Sequence, residues 1–434
     1  MQMRSMTNGA AVREYAAGSL WVVPAVSSAA ALVAGLLLSQ VQIDPHSVLA
    51  PLAFQGTADD ARTLLIAIAS TVVTVIALVL GLTVVALQLS STQFSPRLLR
   101  NFLRDRATQR VLGVYLATFV YSGAGLYTVG VASGARVEQF PRLAVTGAIV
   151  LLFATLGMVV YFADHLAHSL QIDRITELVQ TSTLAVVRAS SGTVETDRPD
   201  PPAWAVAVPA TRSGYVETAH PARLLPLASR LQVTVLLRTR VGEHVVEGSP
   251  LAWVWTPSAA DPIPGVAGVR SALDRAVRIG FERTLEQDCG FGIRQLVDVA
   301  CKALSPAIND PYTAVQAIDH LAVICCALAA RPLGDDVARD SAGSAVVIVP
   351  GRRFGEYIDT MCGLIRRYGG HEPTVLVALL RLLDDCRGFT GGDEGRNAEL
   401  GHQARLILED AERSISQPAD IDQVRRAAVP LLAT

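Results

Sequence analysis

Apolar residues fall into two regimes along the chain. Between residues 20 and 162 they form long uncharged runs; beyond residue 203 they occur first in short alternating stretches and then at helical spacing. A bilayer core of about 30 Å takes about 20 helical residues to cross, and four runs meet that length: residues 20–38, 64–89, 111–131 and 143–162. A cleaved signal peptide competes for the first, but its apolar stretch exceeds the usual ~7–15 residues and no small-x-small cleavage site follows. It reads as a retained span.

The second run departs from a plain apolar helix. At about 100° per residue, Thr63, Ala67, Ser70, Thr74, Ala77, Gly81, Val85, Gln88 and Thr92 share an arc of about 80°. The other faces are valine, leucine, isoleucine and alanine, with Thr71 and Thr83 as polar exceptions. Two physical readings compete. Small residues let a second helix approach closely while the hydroxyls bond across the contact. Alternatively, copies of the stripe face one another around an axis: Ser70, Thr74, Gly81, Gln88 and Thr92 then line a hydrated path, and Val84 and Val85 form an apolar constriction. An amide such as Gln88 is costly at this depth unless bonded or wet.

The uncharged segment is longer than the bilayer core requires, so it tilts or protrudes. Ser95-Pro96 then marks a break, with Ser95 as N-cap and Pro96 as first residue of a new short helix. That helix would carry Arg97, Arg100 and Arg104 on one face. In a ring of copies they surround the inner mouth and favour anions; otherwise they meet anionic lipid headgroups.

Arginine placement sets the orientation, because positively charged loops stay on the cytoplasmic side. Arg4 and Arg13 precede the first run, and Arg97, Arg100, Arg104, Arg106 and Arg110 separate the second from the third. The first outer loop instead holds Asp44, His46, Asp59 and Asp60, with Arg62 at its end, and the short second outer loop holds Arg136, Glu138 and Arg142. Both termini are expected in the cytoplasm. Beyond the fourth run, Asp164 and His168 lie four apart on one helix face, a spacing compatible with a metal or proton site. Solvated residues at the membrane interface are the plainer account.

Residues 172–188 read as a helix leaving the membrane, followed by a Ser/Thr/Asp/Pro-rich linker through Pro202. AWAVAVPA, SGYVETA, LQVTVLLR and VGEHVVEGSPLAWVW then predict a small β-barrel or sandwich. Helical spacing resumes after a proline-glycine linker. The expected organisation is a four-helix transmembrane domain at 1–170, a connecting helix and linker at 171–202, a small β domain at 203–258, and an α-helical cytoplasmic domain at 268–434.

Within the last region, LVDVACKALSPAINDPYTAVQAIDHL contains a helix that ends near Leu304 and another capped by Asn309 or Asp310, with Pro311 at its first position. Capping explains this turn completely. A ligand reading also exists: Ser305, Asn309, Asp310 and Thr313 crowd oxygens at one helix start beside Asp298 and Lys302, able to hold a cation or, at the helix N-terminus, an anion. Asp288, Cys289, Gly290 and Gly292 suggest a turn bordering the same place.

With 51% hydrophobic and 18% charged residues, the chain is more apolar than soluble proteins, whose charged share is about 25%. The net charge of −2 and the lack of a basic cluster interleaved with aromatics argue against a nucleic-acid partner. Six cysteines fall in the C-terminal half with no C-x-x-C pair and no zinc spacing, so they read as reduced core residues. Lys302 is the only lysine. Its scarcity excludes the P-loop pattern and, outside Lys302, any lysine-carried cofactor. No cofactor is expected. No G-x-S-x-G or H-E-x-x-H pattern suggests catalysis, so an enzyme is the less favoured class.

The G-Y-V…V-G-x-x-V-x-x-G-x-P-L arrangement within 203–257 resembles the barrel-sandwich fold of biotinyl and lipoyl carriers, without their lysine. More broadly, ALQLSSTQFSPRLLR (residues 86–100) and ALSPAINDPYTA (residues 303–314) resemble a family of predicted bacterial membrane proteins catalogued as a domain of unknown function. The resemblance covers most of the chain. It implies four N-terminal spans, a cytoplasmic region and the bacterial inner membrane, and carries no activity.

The reading that combines these features is a homo-oligomeric ion channel or transport-like protein whose second span lines the path for a small ion, with a cytoplasmic regulatory region. The alternative is a membrane-anchored sensor or scaffold without permeation. Lipid bilayer and self-association are the partners either reading implies.

Overall fold

The computed structural model describes residues 21–41, 51, 53–93, 106–130, 141–169, 172–190, 198–261, 266–341, 343 and 345–432. The chain divides into two compact units, Met1–Arg174 and Ile175–Thr434.

The first unit contains helices α1 (Val22–Leu38), α2 (Ala58–Gln93), α3 (Arg106–Gly130) and α4 (Arg142–Ser169), which overlay the four apolar runs. Inside a bilayer every backbone polar group must be satisfied within its own segment, and the helix does this. α2 starts on a reciprocal cap: the Thr57 backbone N–H donates to Asp60 Oδ2 (2.9 Å) and the Asp60 N–H donates to Thr57 Oγ1 (3.2 Å). Its 36 residues run on to Gln93, well past what the hydrocarbon core needs. α3 is the central helix and packs on α1, α2 and α4. Leu65, Ile68, Val72 and Val79 of α2 meet Val111 and Tyr115 of α3 and Ala148 of α4 in the shared core. Gly147 on α4 is required sterically, because a Cβ there would overlap the Tyr121 ring oxygen, which donates to Ala144 O at 3.0 Å.

Among the described residues, four helices are long and apolar enough to cross a membrane: Ala58–Ala86, Arg106–Val129, Arg142–His168 and Pro311–Ala329. α1, with 17 residues, is the shorter apolar helix. Packing reverses the ranking of these last two. Pro311–Ala329 lies in the second unit with Ala314, Ile318, Leu321, Ile324 and Leu328 buried, and its outward Asp319 and His320 bond to Arg381 and Gln180. That is a core helix of a folded domain. α1 is about 25 Å long at 1.5 Å per residue, a mismatch that bilayers absorb at modest cost. The helices of the first unit, α1–α4, coincide with the four runs expected from the sequence.

The second unit differs from the expected succession of a closed β module and an all-helical region. Among the described residues it holds helix α5 (Ile172–Ala189, from Ile175 onward) and eight strands in two open sheets. The strands are β1 (Val206–Pro209), β2 (Gly214–Ala219), β3 (Thr234–Leu237), β4 (His244–Val245), β5 (Pro250–Trp255), β6 (Val277–Gly280), β7 (Asp336–Arg339) and β8 (Val346–Val349). One sheet has the order β1-β5-β3-β8-β7 and the other β4-β2-β6. The barrel or sandwich expected at 203–258 does not close, and the region 268–434 is not wholly helical, because β6, β7 and β8 come from it. β8 joins β3 in parallel, pairing Val235 with Val347. Its four residues are all buried. A run so short and continuously apolar has no periodicity to distinguish strand from helix.

Helices α6 (Pro221–Leu231) and α7 (Val266–Ala276) pack with the sheets. The remainder is α8 (Cys289–Ala303), α9 (Pro311–Ala329), α10 (Phe354–Tyr368), α11 (Pro373–Arg387), α12 (Glu394–Ser414) and α13 (Pro418–Leu432). Their starts follow local rules: Asp288, Asp310, Glu372 and Asp393 each accept a backbone N–H as N-caps of α8, α9, α11 and α12.

Candidate functional site

In α2 the sequence stripe and the packing face are opposite one another. Ala61, Leu65, Ile68, Val72, Val79 and Ala86 are buried, and on a helical wheel they centre about 160° from the stripe. Thr63, Ala67, Ser70, Thr74, Ala77, Gly81, Val85 and Gln88 are all exposed on the single chain. A Cβ built on Gly81 meets nothing within 4 Å. Val84 and Val85, the expected constriction, are 54% and 49% exposed. The stripe's hydroxyls turn back on their own helix: Ser70 Oγ donates to Ala67 O and Thr74 Oγ1 to Ser70 O, each at 3.1 Å. Thr92 lies on the last turn of α2 with its side chain outside the described set, and Arg97, Arg100 and Arg104 lie outside the described residues.

Polar groups also enter the core of this unit, on α3. Thr118 Oγ1 and Thr155 Oγ1 of α4 share a hydrogen bond at 3.0 Å. Gln109 Nε2, Tyr115 Oη and Ser122 Oγ are buried without a partner among the described residues. Asp164 and His168 sit at the end of α4, with His168 Nδ1 3.4 Å from the Asp164 carboxylate, both largely exposed. Among the described residues no three His, Cys, Asp or Glu side chains converge as a metal site would require.

The residues around the Asn-Asp-Pro turn are engaged in local structure. Asp310 caps α9, accepting from the Thr313 N–H (3.1 Å) and hydroxyl (2.6 Å). Asn309 adopts φ +50, the left-handed turn conformation. Asp298 pairs with Arg294 one turn earlier at 3.0 Å, Lys302 is exposed, and Ser305 Oγ is buried without a partner among the described residues. Asp288 and Cys289, expected to border this turn, lie at the other end of α8. The 15 residues of that helix separate the two places by about 22 Å at 1.5 Å per residue.

The start of α8 opens instead on a cavity of about 300 Å³ within the second unit. Asp288 is almost fully buried and caps α8 at the Phe291 N–H (3.1 Å), while Arg283 donates to its other oxygen at 2.6 Å. Burial pushes its carboxyl above the usual range, against the pull of Arg283. Only glycine fits at residue 242, whose φ is +87 and whose Cβ would overlap the Asp288 carboxylate. Next to it, the Cys289 thiol donates to Tyr357 Oη at 3.2 Å. Burial raises the pKa of both groups. Arg240 is clamped between Glu243 (2.9 Å) and Glu356 (2.5 Å) at the rim.

A further wall comes from segments that meet at Gly334 and Gly351, where a Cβ on Gly351 would overlap the Gly334 carbonyl. Asp335 fixes this meeting by accepting from Gly351 N (3.0 Å) and from both arms of Arg198 (2.8 and 3.0 Å). The loop then delivers Arg352 to the cavity. Sequence reasoning isolated Asp288 and Cys289 but not Arg352, Tyr357, Arg240 or Asp336, which the chain brings in from distant segments. No spacing in the sequence marks them.

A family model described as predicted membrane protein (DUF2254) matches residues 17–385. The uncharacterized protein Rv1290c of Mycobacterium tuberculosis is 42% identical over 427 residues, spanning 96% of this chain and 81% of that protein. The uncharacterized protein Mb1321c of Mycobacterium bovis matches to the same extent. No solved structure matches the chain.

Proposed function

From the premise that this chain belongs to the DUF2254 family of predicted membrane proteins, we propose that its copies associate in the bacterial inner membrane through the α2 stripe. The stripe then lines a path for a small ion, and the second unit, on the cytoplasmic side together with both termini, regulates it. One observation carries this reading: the small and polar face of α2 points away from its own four-helix unit. A face meant for lipid would be uniformly apolar, since the bilayer core offers hydroxyls and amides no partners. Facing copies give Gln88 either water or a second amide, and Val84 and Val85 narrow the path by dewetting.

Reconstituted in liposomes, the purified chain is expected to conduct ions, with Gln88→Leu lowering the flux and Val85→Ser raising it. No flux across a range of voltage, pH and osmotic stress overturns the path. A second reading, a membrane-anchored sensor or scaffold with a dry α2 contact, is favoured by the Ser70 and Thr74 hydroxyls, which already bond to their own helix. It predicts self-association without conductance.

A further inference from the structure

One guanidinium in the second unit lacks the partner that its neighbours have. Arg240 holds Glu243 and Glu356, Arg283 holds Asp288, and Arg278 holds Glu217 and Glu286. Arg352 is half-buried and has neither an ion pair nor a hydrogen bond among the described residues. It lines both the 300 Å³ cavity and an open groove of about 560 Å³ beside it. Its Nε lies 3.2 Å from where a Cβ on Gly290 would sit, so it rests on the first turn of α8.

A guanidinium carries five N–H donors, and leaving them without acceptors where water is partly excluded is unfavourable. Among the described residues no carboxylate of the cavity lining hydrogen-bonds to it, and Asp288 acts on it only through space. Asp288 is committed to Phe291 N and Arg283, and Glu286 to Arg278. Burial raises the pKa of Asp336, across the cavity, against the opposing influence of His220. Of the two arginines that line the cavity, Arg240 is paired with carboxylates and Arg352 is not. Around it the walls are apolar, from Val186, Val241, Leu328, Leu333 and Val349.

We propose that this cavity binds a small organic anion, one carboxylate or phosphate on an apolar body, with its head on Arg352 and its body between Val241 and Leu333. A volume of about 300 Å³ is at the small end of ligand pockets, which suits a body of about one ring. The apolar walls give the body affinity and the arginine selects the charge, since a planar fork matches carboxylate and phosphate oxygens. The site lies wholly in the second unit and stands whether or not α2 lines a path.

The test uses the full chain in detergent, with its thermal unfolding midpoint followed as phenyl phosphate, benzoate, inorganic phosphate or neutral benzyl alcohol is added. A ligand that binds only the folded state raises the midpoint with concentration. Phenyl phosphate or benzoate is expected to do so, whichever does identifying the headgroup, with benzyl alcohol inert. Arg352→Gln should weaken half-saturation about tenfold or more, whereas Arg426→Gln, on the exposed face of α13, should leave it unchanged. Ala189→Trp, at an exposed position on the cavity lining, should block the shift while keeping the midpoint without anion, which separates a filled cavity from a misfolded one. The proposal is overturned if neither aromatic anion moves the midpoint, if Arg352→Gln responds as the parent does, or if inorganic phosphate raises the midpoint as much as the aromatic anion that binds.

Discussion

Asp310 accepts two hydrogen bonds from Thr313, from the hydroxyl at 2.6 Å and the backbone N–H at 3.1 Å. Both favour the ionised carboxylate, and in that order they hold its pKa below the usual range. A carboxyl depressed in the folded state contributes stability that is complete above its unfolded value of about 4 and is lost as pH falls. Asp310→Ala should therefore lower stability by about 1 kcal/mol at neutral pH, the ordinary value of an N-cap. The deficit should shrink as the parent is acidified through pH of about 4, and Asp310→Asn should retain most of the cap. Chemical denaturation of the three proteins at two pH values checks this; an Asp310→Ala protein as stable as the parent at neutral pH would return the turn to the ligand reading. This turn was legible because a cap involves residues three apart. Arg352 was not, because its significance is the absence of a partner, a property that only three-dimensional neighbours define.

At the scale of elements, α2 was legible for a similar reason. A helix places its faces by residue spacing alone, so the stripe from Thr63 to Gln88 and the buried row from Ala61 to Ala86 could be separated on paper, and the structure puts them on opposite sides. What lies against the stripe is a prediction for a pair of chains. With a maleimide cross-linker in membranes, Ser70→Cys and Thr74→Cys should give cross-linked dimers, whereas Val72→Cys, on the buried row, should not. The parent chain with its own six cysteines is the control, and equal yields from all three positions would remove the stripe as the contact. The sheets were illegible for the opposite reason. β3 was recognisable as a strand, but its partner β8 enters from beyond α9, pairing Thr234 with Val346. A valine-rich edge reads the same whether the next strand is its neighbour in sequence or arrives after three helices, so a compact barrel was the economical expectation and two open sheets the outcome.

The whole molecule turns on how many helices cross the membrane, and hydropathy alone gives a misleading answer for α9. Its composition qualifies as a span, yet its apolar residues face α8 and α11, and a buried core helix and a membrane span share the same composition when both are apolar all round. The distinction has a measurable consequence. A fragment of residues 172–434 should be soluble without detergent and fold cooperatively, because the helix that looks membranous is already covered by its own domain. Its thiols report the same thing: burial pushes Cys301 up to about 11 and Cys362 up to about 12. Thiols raised in the folded state keep their stabilising protonated form at neutral pH and lose that contribution only as pH climbs beyond the unfolded value of about 8.5. Alkylation at pH 8 should consequently be slow in the native fragment and fast after denaturation. A fragment that instead needs detergent, with thiols that react at once, would make α9 a genuine crossing. Residues after Ala329 would then emerge on the opposite side from α8. The unit that holds the cavity, the Arg198–Asp335 clamp and both sheets could not exist as one folded body, because Asp288 and Arg352 would be separated by the bilayer.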